Sequence, residues 1–576
     1  MMFTFFSINN FFKYLITIFL LIILLIIITN EPFNWFRTEE SEPIDSSPAI
    51  ILARLSRATA ELAVLKSQNE ELQSLVQRFI SKISENDPDF KESLDENHTQ
   101  NANSHNISLD YQYEFSRRKL SQDISELWNF IRFGGEPIEE TKIFVKELTN
   151  SLLYDLDVIS QRDIKARKDR LDKLSNYLQL KIHQLQNPKN CENARKLVCT
   201  LNKGCGFGCQ IHHVAYCMVV AIATNRTLIL NSQNWRYVNK VTSLPSLWNL
   251  AFKSISETCV DDSGSPRIRW SSAINRLEYQ VIDLPILDSL KPKKNFLPLA
   301  IPDKISLELT TLHGAPFVWF IGQILRYLMR PSEEINDYIR VQKNKLNFRK
   351  PIVGVHVRRT DKINTEASFH SLSEYMNHVE HYYDRLDVFR QRKNPLLPPS
   401  ERLVYLATDD VTLWKKEIDP FEKKGYKFIG DSEISGTASM NRRYSYDSLK
   451  NIILDIWLLS ESDFLVCTFS SQVCRLAYEL MQSIEPGTDR SADFSSLDDI
   501  YYFGGQNSHS QIAILNHKAS SISQISFKIG DIIGIAGNHW NGFSKGSSRV
   551  TQQNGLYPSF KTKDKIETAK FELFQD

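Results

Sequence analysis

The stretch Ile352-Val353-Gly354-Val355-His356-Val357-Arg358-Arg359-Thr360-Asp361-Lys362, with Glu366 just beyond, decides how this chain is read. Pro351 marks its start, and Ile352, Val353, Val355 and Val357 are β-branched, so it opens as a strand. A run this apolar predicts a strand buried on both faces. The sequence then turns densely charged. That switch predicts the carboxyl end of a strand in an open α/β sheet, where such sheets bind ligands. Two adjacent arginines offer planar forks of N–H donors suited to an anionic diphosphate. The plainer alternative is an ordinary strand end with a solvated charge cluster.

Outward from this stretch, strand and helix signals alternate. Arg402 to Ala407 predicts a strand ending in Thr408-Asp409-Asp410. Tyr426 to Ile429 predicts the next strand, Leu449 to Leu459 a helix, and Asp463 to Cys467 a strand ending in Thr468-Phe469-Ser470-Ser471-Gln472. This alternation argues for a parallel, doubly wound sheet. Upstream, Lys203-Gly204-Cys205-Gly206-Phe207-Gly208-Cys209-Gln210 is a glycine-rich turn before a buried helix, Val214 to Thr224, and a strand, Leu228 to Leu230. Glycines before a helix admit backbone N–H groups to a phosphate, or they only shape a pinned turn. Downstream, Phe527 to Ile535, Asn538-His539-Trp540-Asn541-Gly542 and Gly555-Leu556-Tyr557-Pro558-Ser559-Phe560 give short strand and turn signals. They resemble an SH3 module that lacks the usual opening, with Ile512-Ala513-Ile514-Leu515 in its place.

The 576 residues leave room for two to four domains, and a composition 42% hydrophobic and 24% charged is globular. The net charge of +1 argues against a general nucleic-acid or polyanion binder. Anion recognition must come from a local cluster. Eight cysteines permit four disulfides. The spacing of Cys205 and Cys209, with His212-His213 nearby, leaves zinc as a competing use.

Tyr14 to Thr29 is an uninterrupted apolar run, roughly 24 Å long as a helix at 1.5 Å per residue. No small-residue cleavage site follows it, so an uncleaved anchor is expected rather than a signal peptide. Lys13 before and Glu31 after put the short tail in the cytosol and the bulk in the lumen. Glu31 to Pro48 reads as a stem linker. From Ala49, Leu55, Leu62, Asn69 and Val76 form one heptad position, and Ala58, Leu65, Leu72 and Phe79 the other. That predicts a self-associating coiled coil whose register Asn69 fixes, or a helix packed on its own domain. Ser84 to Ser108 is polar and carries glycosylation acceptors at Asn97 and Asn106; a third, Asn225, abuts an apolar strand. Leu109 to Phe133 predicts a helix broken at Gly134-Gly135. Pro137 then starts a second helix reaching about Gln186, before Pro188.

His356-Val357-Arg358-Arg359-Thr360-Asp361-Lys362 resembles the donor-binding motif of the α-1,6-fucosyltransferase family, which attaches core fucose to N-glycans. The looser His-x-Arg-Arg pattern is shared with protein O-fucosyltransferases and bacterial relatives. The resemblance runs from about Cys191 to Phe571. It implies a Rossmann-like nucleotide-sugar-binding domain with an N-terminal helical coiled-coil region and a C-terminal SH3-like β-barrel. The expected divisions are 1–13 cytoplasmic tail, 14–29 transmembrane signal anchor, 30–108 luminal stem, 109–187 helical region, 188–505 catalytic domain and 506–567 SH3-like domain. A single-pass Golgi membrane protein follows, assembled as a homodimer and binding no nucleic acid.

The family's chemistry is transfer of fucose from GDP-fucose to the 6-hydroxyl of the innermost GlcNAc of an N-glycan with a GlcNAc-terminated antenna. The resemblance implies Glu366 as general base, Lys362 beside it, and Arg358 as the cation at the leaving diphosphate. Arg359, Ser471 and Gln472 join Arg358 at the diphosphate, and His356 and Asp455 meet guanine. Tyr237 meets the ribose, Gly208 and Cys209 line the nucleotide, and Asp361, Asp409 and Asp410 belong to the donor side. Lys203, Asp288, Glu366 and His539 contact the acceptor. The disulfides implied are Cys191–Cys259, Cys199–Cys217, Cys205–Cys209 and Cys467–Cys474, which require an oxidising compartment. No Asp-x-Asp motif sits at a donor-side strand end; Asp409-Asp410 is the nearest and Asp498-Asp499 lies after the sheet. The resemblance therefore implies no metal or other cofactor, with arginine as the fixed cation. Asn364 stands where the family commonly has Gly. Transfer to another acceptor, or an inactive glycan-binding receptor, are the alternative readings.

Overall fold

The computed structural model describes residues 109–133, 139–238, 246–270, 279–286, 294–297, 299–360, 368–439, 441–505 and 509–575. The expected anchor, stem, heptads and the acceptors Asn97 and Asn106 lie outside them. Three helices lead in: α1 (Tyr111–Phe133), α2 (Glu139–Gln161) and α3 (Ile164–Gln186). The single helix expected from Pro137 to Gln186 is thus two. The break falls at Arg162-Asp163, where Asp163 takes non-helical dihedrals (φ −109°, ψ 6°). Arg167 closes the corner by donating to the Ser160 carbonyl and, at 2.9 Å, to the buried Glu114 carboxylate of α1.

The first sheet has order β2-β1-β4-β3 and is parallel throughout: β1 Lys196–Thr200, β2 Thr227–Asn231, β3 Arg267–Arg269 and β4 Val281–Asp283. Between β1 and β2 runs α4 (Phe207–Ala223), in which every residue except Cys209 is buried. It starts seven residues earlier than the apolar run alone predicts, because the glycine-rich turn itself enters the helix. A helix apolar all round belongs in a core. This bears on the membrane expectation, which is corrected: among the described residues no helix is long and apolar enough to cross a membrane. The most apolar one, α4, has 17 residues and spends its apolar surface inside the protein. The single-pass Golgi placement is not carried further.

A short strand, β5 (Ala300–Pro302), and helix α5 (Pro316–Leu328) precede the second sheet. That sheet is also parallel, with order β10-β9-β6-β7-β8: β6 Ile352–Val357, β7 Arg402–Thr408, β8 Tyr426–Ile429, β9 Phe464–Cys467 and β10 Phe494–Ser496. All six residues of β6 are buried, as its apolar run predicts. Val353, Val355 and Val357 pack with Tyr375, Met376 and Val379 of α6 (Leu372–Lys393). On the opposite face, a Cβ at Gly354 would lie 3.1 Å from Leu459 of α7 (Tyr446–Glu461). Helices therefore cover both faces, which makes the sheet doubly wound. Helix α8 (Gln472–Ile484) follows β9 and crosses α5 so closely that a Cβ at Gly322 would sit 2.2 Å from the Glu479 carbonyl oxygen.

The last sheet is antiparallel, in the order β14-β13-β12-β11-β15: β11 His509–Ala513, β12 Ile532–Asn538, β13 Phe543–Ser548, β14 Asn554–Pro558 and β15 Thr562–Asp564. It has its own small core of Ala513, Ile525, Phe527, Ile533 and Tyr557. The strand expected from Phe527 begins only at Ile532. Phe527 bridges to His517, and a turn through Gly530 at φ +88° intervenes. After β15 the chain leaves this sheet. β16 (Glu567–Ala569) pairs in parallel with β5, and Phe571 packs on Phe296 and Phe320 in the main core.

Gly322→Ala is expected to destabilise the fold by about 1–3 kcal/mol through overpacking at the α5–α8 crossing. That outweighs the gain of about 1 kcal/mol that Ala brings to a helix interior. Thermal unfolding reads the sign; a raised melting temperature would mean the helices are not in backbone contact.

Candidate active site

In the second sheet the chain lays down β6, β7 and β8 in one direction, then returns to place β9 on the other side of β6. The order reverses between β6 and β9, so a crevice opens there at the carboxyl ends of the strands. Val355 pairs with Val466, which brings the residues after Val357 beside those after Cys467. The first group is Arg358-Arg359-Thr360; the second is Thr468 to Gln472, the lead-in to α8. Ser471 is the residue that precedes α8, in extended conformation. A second helix start arrives from the first sheet. A Cβ at Gly208, in the first turn of α4, would lie 2.8 Å from the Gln472 Cβ. The N-termini of two helices of 17 and 13 residues thus touch at the crevice. Unpaired N–H groups and the positive dipole end make each a ready anion site.

The two arginines part company. Consecutive residues of an extended chain project to opposite sides. Arg358 donates to Asp409 Oδ2 and, at 3.3 Å, to the Thr360 hydroxyl. Arg359 turns into the protein. Its guanidinium makes a two-pronged contact with Glu417, donates to Asp410 at 3.3 Å and to the His370 carbonyl at 2.8 Å, and lies over the Phe369 ring. The expectation that both forks meet a diphosphate is corrected accordingly: Arg359 is spent on the scaffold. Asp409 and Asp410 are scaffold too. Asp409 accepts from the backbone N–H of Arg359 (2.8 Å) and Thr360 (3.0 Å), holding the strand end in place. Asp410 accepts from the N–H and hydroxyl of Thr412. Sequence reading missed Glu417, which sits on a short helical turn with no motif around it.

His356 is buried on β6, and its Nδ1 has no hydrogen-bond partner among the described residues. Burial lowers its pKa to about 4, with Arg358 adding to the effect and Asp409 opposing it, so the ring is neutral at pH 7. Asp455, on the α7 face of the same sheet, accepts from the Tyr405 hydroxyl at 2.7 Å. Burial pushes this carboxyl up to about 7 while the tyrosine pulls it down. An unpartnered ring nitrogen and a buried carboxyl on one face suit a ligand edge that offers N–H groups.

The glycine-rich turn is stitched from inside. Gln210 donates to the carbonyls of Lys203 (2.9 Å) and Cys205 (3.1 Å) and accepts from the Trp235 indole. The disulfide Cys205–Cys209 closes it. Cys191–Cys259, Cys199–Cys217 and Cys467–Cys474 are also formed, the full set that the resemblance implies. Zinc is answered by the same bonds. His213 does lie near Cys199 and Cys217, but those two sulfurs are bonded to each other and offer no thiolate. Tyr237 stands behind the turn, its buried hydroxyl accepting from the Phe207 N–H at 3.0 Å, so it steadies the start of α4.

Residues 4–502 match the family described as "Alpha-(1,6)-fucosyltransferase N- and catalytic domains". The chain belongs to the alpha-(1,6)-fucosyltransferase family. An alpha-(1,6)-fucosyltransferase of Drosophila melanogaster is 44% identical over 80% of this chain and 75% of its own length. One of Caenorhabditis elegans is 37% identical over 89% and 92%. Among solved structures, the fucosyltransferase NodZ from Bradyrhizobium is 15% identical, with 49% of this chain and 92% of that one covered and a TM-score of 0.29. The chain is therefore a GDP-fucose-dependent fucosyltransferase.

Of the acceptor-side residues expected in this fucosyltransferase, Lys203 is half-buried just after β1, and His539 is exposed at the tip of the β12–β13 hairpin. Trp540, next to it, takes φ +55° and donates from its indole to the Asp498 carbonyl at 3.2 Å. Asp498 in turn accepts from Ser470 and Ser496. The hairpin thus rests on the loop that supports the start of α8. Asp288, Asp361, Lys362 and Glu366 lie outside the described residues.

The parting of the arginines has a direct test. Arg358→Lys is expected to weaken GDP binding about 10- to 100-fold, the worth of one charge-assisted fork. Arg359→Lys should instead lower the melting temperature and change GDP affinity much less. Calorimetry with GDP and thermal unfolding on both variants read the pattern, and its reversal would put Arg359 in the site.

Proposed function

We propose that the chain moves fucose from GDP-fucose to the 6-hydroxyl of the innermost GlcNAc of N-glycans, with inversion and without a metal. The observation that carries the donor half is the meeting of the α4 and α8 starts beside Arg358 at the switch point. Arg358, Ser471, Gln472 and the N–H groups around Gly208 and Cys209 hold the diphosphate. His356 Nδ1 and the Asp455 carboxylate meet the guanine edge, and Tyr237 holds the turn at the ribose. Arg359, Asp409 and Asp410 keep that arrangement rigid.

The acceptor half is supported by kinship. Lys203, Asp288 and His539 bind the glycan, with the antiparallel C-terminal module acting as an SH3-like part of the catalytic assembly. Glu366, with Lys362 beside it, takes the proton from the acceptor hydroxyl. The oxygen attacks the fucose anomeric carbon from the face opposite the diphosphate, and the bond to the β-phosphate oxygen breaks. The charge left on GDP falls to Arg358 and the two helix starts, a fixed electrostatic environment that needs no rearrangement as charge develops. Self-association is assigned to α2, where Ile143, Phe144, Val158 and Ile159 are exposed.

The test is incubation of the protein with GDP-fucose and a GlcNAc-terminated N-glycan, with EDTA present and the product linkage determined. An α-1,6 product is expected. A different linkage would move the acceptor, and no transfer to any glycan would favour a receptor. Glu366→Gln keeps the size of Glu but takes no proton at neutral pH, so turnover should fall roughly 10²–10⁴-fold with donor affinity nearly unchanged. Turnover above about a tenth of the parent, given that range, would place the base elsewhere.

A further inference from the structure

Behind the crevice lies a buried polar chain that the transfer itself does not use. His212, on α4, is 2% exposed, and Glu479, on α8, is 0% exposed. His212 Nε2 lies 3.0 and 3.2 Å from the two oxygens of the Glu479 carboxylate, and Nδ1 lies 3.0 Å from Gln472 Oε1. Tyr501 donates to the same carboxylate at 2.7 Å, and the Phe503 ring meets His212 edge-on. Gln472 and Glu479 are seven residues apart, on one face of α8, and the imidazole spans the gap between them.

The chemistry of this chain fixes an orientation. The ring bridges two oxygen groups, the Glu479 carboxylate at Nε2 and the Gln472 amide oxygen at Nδ1. Gln472 turns its Oε1 to Nδ1 at 3.0 Å. The other branch of the planar amide, the NH₂, is thereby turned away from His212. An amide in the opposite sense would present its oxygen to a phosphate, which is repulsive. Gln472 is the first residue of α8, packed against Gly208 at the point where the two helix starts meet.

We propose that His212 and Glu479 are a buried positioning pair that holds the Gln472 amide with its NH₂ branch toward the donor diphosphate. This rests on the reading of Gln472 as a diphosphate contact, and neither His212 nor Glu479 touches the substrate. The zinc alternative raised by His212-His213 is replaced, for His212, by this structural task.

Two substitutions separate positioning from packing. His212→Gln keeps a donor where Nε2 stands, facing Glu479, and loses the one at Nδ1. His212→Asn keeps a donor where Nδ1 stands and loses the link to Glu479. Calorimetry with GDP on the full chain is expected to show His212→Gln weaker by about tenfold, the worth of one hydrogen bond to a charged group, and His212→Asn retaining most of the affinity. Gln472→Ala alone should lose a similar amount, and His212→Gln added to it should lose no more, because His212 acts through Gln472. Equal loss in the two histidine variants, or full additivity with Gln472→Ala, would overturn the positioning role. Unchanged affinity in Gln472→Ala would instead overturn the diphosphate reading on which it rests. Thermal unfolding of each variant shows that the comparison is made on folded protein.

Discussion

Gly208 lies against Gln472 so closely that a methyl group would not fit between them. That contact joins the two parallel sheets at their working ends. Each sheet contributes one helix, and the two first turns meet where Gly208 of α4 has no side chain. Each helix start carries roughly half a positive charge. Two of them beside Arg358 make a fixed cationic seat. Much of the surrounding structure serves to keep that contact in place. The Cys205–Cys209 disulfide and Gln210 hold the turn before α4, while Ser470, Asp498 and Trp540 support the approach to α8.

Strand alternation divides the labour beyond that seat. Of two neighbouring arginines, one pairs with Asp409 and the other is buried against Glu417 and Asp410. Asp409 spends its carboxylate on the Arg358 guanidinium and on two backbone N–H groups of the strand end. A residue that looks catalytic by type is thus a brace by position. The C-terminal module is tied in twice, through Trp540 to the Asp498 loop and through β16 and Phe571 to the main core. An antiparallel sheet with its own core is thereby tied to the two parallel ones.

The doubly wound sheet was legible because β6 is apolar on both faces and then abruptly charged, and because Thr408-Asp409 and Ser471-Gln472 mark other strand ends. The four disulfides came from the family resemblance, since spacing alone left zinc open. What stayed hidden depends on distant pairing. Glu417 has no local pattern, and nothing near His212 announces Glu479, 267 residues away. The corner at Asp163 was missed because helix propensity continues through it, and only the tie from Arg167 to Glu114 and Ser160 closes the bend. The different partners of Arg358 and Arg359 follow from strand alternation, which sends neighbouring side chains to opposite sides.

Hydrogen–deuterium exchange with and without GDP tests the central claim most directly. The backbone amides themselves are assigned to the ligand, and exchange observes them without a substitution. GDP should slow exchange together at Gly208 and Cys209 and at Gln472 and Val473. Protection confined to one helix start, or to neither, would contradict a seat built from both.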